Sequence, residues 1–348
     1  MPAEAIQLAI RRLAAGQSLT TEESSAAFDG VMSGEATAAQ VAALLIGLRV
    51  KGETAEEIAG GARALRHAMV KLSAEKPDDL VDTCGTGGGR VATFNISTAA
   101  ALLAAGAGVR IAKHGNRSFT SRCGSADVLE ALDVRIEIPV DRMEEMLREA
   151  GIVFMFAPLM HPAMRHVGPV RRELGVPTVM NVLGPLANPA GAGRQVVGVA
   201  EPERLPLLAD ALLALGSVHS LVVHGAPGLD ELSPLGTTRV LEVRGGTVRE
   251  WAIEPASLDV LAHDPDELAG GGPAENAHII REVLSGRRGG GAAAAVILNA
   301  GAAVYVSGLA TSFGDAVEIA RAALARGEGL NALERLRQTS ARAESRPQ

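Results

Sequence analysis

Residues 1–72 alternate apolar and polar positions at the three- and four-residue intervals of helices. The opening stretch MPAEAIQLAIRRLAAG is amphipathic. Thr20 with Glu23, and Thr54 with Glu57, stand at capping-box spacing and mark two helix starts. Between them, ATAAQVAALLIGLRVKG predicts a helix that Gly52 ends. It is apolar on much of its surface, so it is expected to bury itself against another helix or a second subunit.

From about residue 78 the pattern changes to short apolar runs separated by helix-period stretches. DLVDTC, VRIAKHGN, IVFMFAP, RQVVGVA and VHSLVVHG predict strands. STAAALLAAGAG, SADVLEALDV, VDRMEEMLREAG (with Asp141 as its cap) and PERLPLLADALLALG predict helices. From 273 onward the chain reads as helices around AAAAVILNAGAAVYVSG, with GRRGGG at 286–291 as a surface loop. This alternation predicts a mainly parallel sheet flanked by helices, joined to a small all-helical domain.

Composition narrows the classes. At 348 residues and 47% hydrophobic, the chain is long enough for two domains. No unbroken apolar run reaches membrane-spanning length, and the N-terminus lacks the pattern of a signal peptide. Two cysteines, Cys84 and Cys123, suggest a reducing, cytoplasmic setting. A net charge of −7 and 2% aromatics lack the basic stripe and stacking platforms of a nucleic-acid binder. Cations are almost all arginine, and Lys113 is the one lysine after Lys76.

Ligands of open parallel sheets bind beyond the carboxyl ends of the strands. Three polar loops fall at such ends: 85–98, 113–125 and 224–231. GTGGG at 85–89 is either a tight turn or a backbone cradle for an anion, and Asn95, Ser97 and Thr98 follow at a helix start that favours phosphate. It lacks the Gly-Lys-Ser/Thr of a P-loop and fits Gly-x-Gly-x-x-Gly poorly. KHGNRSFTSRCGSAD is either a solvated turn or a dense set of phosphate donors: Lys113, His114, Asn116, Arg117, Ser118, Thr120, Ser121 and Ser125. Asp230 and Glu231 are either a surface turn or hard oxygen ligands for Mg²⁺. In 156–189, His161, Arg165, His166, Arg171 and Arg172 lie near Met160 and Met164, as a solvated helix face or as a site for an aromatic carboxylate. Zinc spacing and a nucleophile elbow are both lacking.

GTGG at 85, NIST at 95, KHGNR at 113, GSAD at 124, HPAMR at 161, LGPLANP at 183, DE at 230 and GGGPAENA at 270 stand in one order over nearly the whole chain. That ordered set resembles the anthranilate phosphoribosyltransferases. The resemblance implies the nucleoside phosphorylase/phosphoribosyltransferase type of α/β fold. The small helical domain would comprise 1–72 plus about 165–190, and the large domain 73–164 and 191–348. It implies a cytoplasmic homodimer formed through the helical domain. The implied reaction is transfer of phosphoribosyl from phosphoribosyl pyrophosphate to the anthranilate amine, in tryptophan biosynthesis, with Mg²⁺ as cofactor, two ions per site.

The resemblance assigns phosphoribosyl pyrophosphate to Gly85, Gly88, Gly89, Thr93, Asn95, Ile96, Ser97, Thr98, Lys113, Ser121 and Ser125. It assigns anthranilate to Gly85, His114, Asn116 and Arg171, and Mg²⁺ to Ser97, Asp230 and Glu231. No residue is assigned as acid or base. The family's Asp-Gly after GTGG is Gly89-Arg90 here, which is expected to alter Mg²⁺ dependence. Pro177 stands where the family often has arginine. The competing expectations are a pyrimidine nucleoside phosphorylase-like enzyme and a non-catalytic nucleic-acid-binding relative.

Overall fold

The computed structural model describes residues 2–118 and 122–344. Four helices open the chain: Pro2–Ala14, Thr21–Met32, Ala38–Lys51 and Ala55–Ala68. The second and fourth start in the expected capping boxes, at Thr20/Glu23 and Thr54/Glu57. A third box, Thr37/Gln40, starts the helix Ala38–Lys51, which ends at Gly52 with φ +90°. Glu57 is fully buried. It accepts from Thr54 N–H and Leu19 N–H, both at 2.9 Å, and pairs with Lys51 Nζ at 3.0 Å.

The sheet is seven-stranded, in the order β3-β2-β1-β4-β5-β6-β7. Its strands are β1 Val81–Gly85, β2 Ile111–Gly115, β3 Ile152–Phe156, β4 Arg194–Gly198, β5 His219–Gly225, β6 Thr238–Arg244 and β7 Thr247–Ile253. β1 to β5 are mutually parallel. β6 and β7 extend the sheet as an antiparallel hairpin through Gly245-Gly246. That hairpin was not anticipated, although Gly-Gly between strand-like runs is a hairpin signal. Strand order reverses at β1: β2 lies on one side and β4 on the other. The crevice beyond β1 and β4 is therefore the topological switch point where ligands bind in such sheets.

Side chains of β4 to β6 alternate between two cores with the period of a strand. Val196, Leu221, Val223 and Val240 face one core, which includes the helices Ile96–Gly106 and Gly290–Ser307. Val197, Val222, Leu241 and Val243 face the other, with the helix Leu205–Ala214, the N-terminal helices and residues 163–187. The helix Gly290–Ser307 is long and apolar enough to cross a bilayer, but 83% of it is buried inside this protein. It starts at Gly290, so the expected 286–291 loop is shorter than GRRGGG. Asp141 does not cap its helix: Pro139 occupies the cap of Val140–Ala150, and Asp141 lies within the first turn.

Candidate active site

The loop leaving β1 crosses the switch point. Thr86 N–H donates to Gly198 O at 2.9 Å, and Thr86 Oγ1 accepts from Ala200 N–H at 3.2 Å, tying the loop to the end of β4. Gly87 and Gly88 have φ of +71° and +86°, a region that other L-residues rarely occupy. Gly85 and Gly89 both lie against the Asp230 carboxylate. A Cβ would lie 2.9 Å from Asp230 Oδ2 at Gly85, and 2.8 Å from Asp230 Oδ1 at Gly89. The group that approaches this backbone most closely is therefore the protein's own Asp230 carboxylate, which accepts from Gly87 N–H.

Asn95 caps the helix Ile96–Gly106, which carries Ser97 and Thr98 in its first turn. Ser97 donates through both N–H and Oγ–H to Glu231. Burial first, and then the neighbouring Asp230, push the Glu231 carboxyl up to about 8, with Lys113 and the Ser97 donors opposing. Burial also raises Asp230. Two carboxylates crowded together at such a cost are relieved by a cation, and the donors are the hard oxygens that Mg²⁺ takes. Ser97, Asp230 and Glu231 thus fit Mg²⁺.

Lys113 is 3% exposed and lies beneath this cluster. Its ammonium donates to Thr83 O, to Thr83 Oγ1 at 3.3 Å and to Ser97 Oγ at 3.4 Å. Burial pushes it down, while Asp82, Cys84 and Glu231 push it back up. Asp82, fully buried, accepts from His114 N–H at 3.2 Å and from Asn188 Nδ2–H at 2.8 Å. Burial raises its pKa to about 6 against the opposing Lys113 charge. Asn188 also donates to Ala112 O at 2.8 Å, so one asparagine braces β1 and β2.

A cavity of about 680 Å³ opens over these groups. Asp230, Glu231, Ser97 and the start of the glycine loop line it, together with His114, Asn116, Ser125 and Arg171. The imidazoles of His114 and His161 lie 4.9 Å apart. Burial, then His161 and Lys113, lower His114 to about 3; burial lowers His161 to about 4. Both rings are neutral at pH 7. Arg171 is half-buried and donates to Asn181 Oδ1 at 3.3 Å.

Residues 77–330 match the α/β domain of a glycosyl transferase family, and 7–69 match that family's helical bundle domain. The anthranilate phosphoribosyltransferase of Rubrobacter xylanophilus is 50% identical over 334 residues, covering 96% of this chain and 97% of the relative. The solved anthranilate phosphoribosyltransferase of Thermus thermophilus is 46% identical with a TM-score of 0.90, covering 96% of this chain and 99% of that one. The Saccharomyces cerevisiae enzyme, solved with phosphoribosyl pyrophosphate and Mg, is 28% identical with a TM-score of 0.88, covering 97% and 98%. The chain belongs to the anthranilate phosphoribosyltransferase family.

Of the residues assigned by resemblance to that family, the main cavity gathers Gly85, Asn95, Ser97, Lys113, His114, Asn116, Ser125, Arg171, Asp230 and Glu231. Gly88 instead faces a neighbouring cavity of about 500 Å³, shared with Arg90 and His224. Gly89, Thr93, Ile96 and Thr98 do not line the main cavity; Ile96 and Thr98 are buried beneath it. Ser121 and Thr120 lie outside the described residues. Arg117 and Ser118, expected among the phosphate donors, also line the main cavity, and Arg117 is bound to Glu130 and, at 3.2 Å, to Asp127. The sequence reading missed Thr86, Asn181, Asp82 and Asn188. The last stands within the quoted LGPLANP, and no pattern marked Asp82 apart from its place in a strand otherwise apolar or small.

Proposed function

We propose that this protein transfers the phosphoribosyl group of phosphoribosyl pyrophosphate to the amine of anthranilate, releasing pyrophosphate, as in tryptophan biosynthesis. The observation that carries the reading is the convergence, at the switch point, of the Ser97–Asp230–Glu231 oxygen cluster with the glycine loop, in one cavity that Asn116 and Arg171 also line. The yeast relative was solved with phosphoribosyl pyrophosphate and Mg, and also with 4-fluoroanthranilate, which fits two substrates meeting in such a cavity.

Ser97, Asp230 and Glu231 would hold Mg²⁺, two ions per site when substrate phosphates add their oxygens. The metal would supply positive charge to the departing pyrophosphate. Backbone N–H groups of the glycine loop and the hydroxyl of Ser125 would hold phosphate oxygens. Lys113 balances the buried carboxylates from below. Arg171 would take the anthranilate carboxylate, and Asn116 would orient the ring. The anthranilate amine is largely unprotonated at pH 7, so no strong base is required. As the C1–O bond breaks, positive charge grows on the ribose. The neutral His114 and His161 avoid repelling it, and His114 remains able to hydrogen-bond the amine. Catalysis then rests mainly on positioning and fixed charge.

We place the enzyme in the cytoplasm as a homodimer formed through its helical domain, with 1–72 and about 165–190 as that domain. The site reading is tested by Asp230→Asn. Activity is expected to fall about a hundredfold and to need more Mg²⁺. A Mg²⁺ titration that superimposes on wild type would contradict it.

A further inference from the structure

The late motif GGGPAENA has no part in the assignments above, yet its asparagine is 2% exposed and reaches the site's supporting layer. Asn276, on the helix Pro273–Leu284, accepts from Gly271 N–H at 2.7 Å and donates to Asn95 Oδ1 at 2.9 Å. It also hydrogen-bonds the Cys123 thiol. Asn95 in turn donates to Cys123 O at 3.1 Å. One chain of side-chain amides therefore ties three segments: the helix start carrying Ser97, the loop before Ser125, and the 270–276 turn. Phe94 N–H to Leu268 O, at 2.9 Å, adds a backbone link between the first and third.

We propose that Asn276 is a positioning residue for phosphoribosyl pyrophosphate, acting through Asn95. It rests on the reading that the 85–98 loop holds that substrate. An asparagine amide has one acceptor end and one donor end, and at a phosphate site only the donor end is attractive. The Asn276 donor requires the Asn95 oxygen to face it. Asn95 Nδ2 is then turned toward Cys123 and the cavity, with one N–H left for an anion. Without that donor only the Cys123 carbonyl holds the orientation, and an amide that rotates presents oxygen to phosphate. Asn276 lines no part of the cavity and touches no reacting atom.

The test compares steady-state KM values for both substrates in Asn276→Ala, Asn276→Asp, Asn95→Ala and the Asn95→Ala/Asn276→Ala double variant. Ile280→Val, in the same buried helix face, serves as the packing control. Asn276→Ala is expected to raise KM for phosphoribosyl pyrophosphate about tenfold, with KM for anthranilate unchanged. Asn276→Asp is expected to raise it further, because a carboxylate demands the reversed Asn95 amide. It keeps the side-chain shape and the acceptor for Gly271, so it reads the donor even where the alanine variant fails to fold. The double variant should be no worse than the poorer single one, since both remove one device. Ile280→Val should lower thermal stability without moving either KM.

Multiplying effects in the double variant, or equal rises in both KM values, would overturn the proposal. So would an Asn276→Asp enzyme with wild-type KM beside an impaired Asn95→Ala, which leaves the loop reading standing. Unchanged KM in Asn95→Ala would reject the loop reading and the proposal together.

Discussion

Asp230 explains more of the site than any other single residue. Its carboxylate fills the space that Gly85 and Gly89 leave, within 3 Å of where a Cβ would stand at either position. The resemblance implies an aspartate where Gly89 stands, and an acid placed there would project toward the Asp230 carboxylate. Gly89→Asp is therefore expected to change the Mg²⁺ dependence while retaining activity; identical Mg²⁺ titrations of variant and wild type would refute this. The buried imidazoles make a second residue-level prediction. His161 has a folded pKa of about 4, below its ordinary 6.5, so folding favours the neutral ring. The stability this represents is intact above pH 6.5 and is lost as pH falls toward 4, by about 3 kcal/mol. Between pH 7 and 4 the urea midpoint of wild type should drop relative to that of His161→Gln, whatever the other buried groups contribute to both. Parallel curves would show that the ring carries no such linkage.

At the scale of elements, helix starts were legible because they are local. Thr20/Glu23 and Thr54/Glu57 act through contacts three residues apart, and any reader of the chain can find them. What Glu57 does beyond its own helix was not legible. Its hold on Leu19 N–H and Lys51 depends on how two helices meet. Glu57→Ala removes the acceptor of two N–H groups and the ion-pair partner of the half-buried Lys51, and should cost about 3 kcal/mol in denaturant unfolding; a loss under 1 kcal/mol would mean that water replaces the carboxylate. The five parallel strands were visible as apolar runs. The hairpin of β6 and β7 was missed because polar residues such as Arg239, Glu242, Arg249 and Glu250 interrupt its apolar pattern. The three site loops were visible from strand ends and donor density. Asp82, Asn188 and Asn276 were not, because a buried polar residue announces itself only through partners distant in sequence. Arg117, visible as a cation in a donor-rich loop, lines the cavity and is also paired with Glu130, a partner thirteen residues away that the loop itself does not announce.

At the scale of the molecule, the strand order places β1 and β4 side by side with their connections on opposite faces. The glycine loop, the Ser97 helix and the Asp230–Glu231 turn then converge without any of them being long. Residues 163–187 pack into the core shared with the N-terminal helices, and so carry Arg171 to the cavity from the helical side. An acceptor bound by Arg171 and a donor bound at the switch point would meet between them, which is the central claim. The measurement that tests it most directly follows anthranilate fluorescence with the pure protein, phosphoribosyl pyrophosphate and Mg²⁺. The signal should decay only when enzyme, phosphoribosyl pyrophosphate and Mg²⁺ are all present. A constant signal from folded protein across a range of Mg²⁺ concentrations would contradict the assignment of anthranilate as the acceptor.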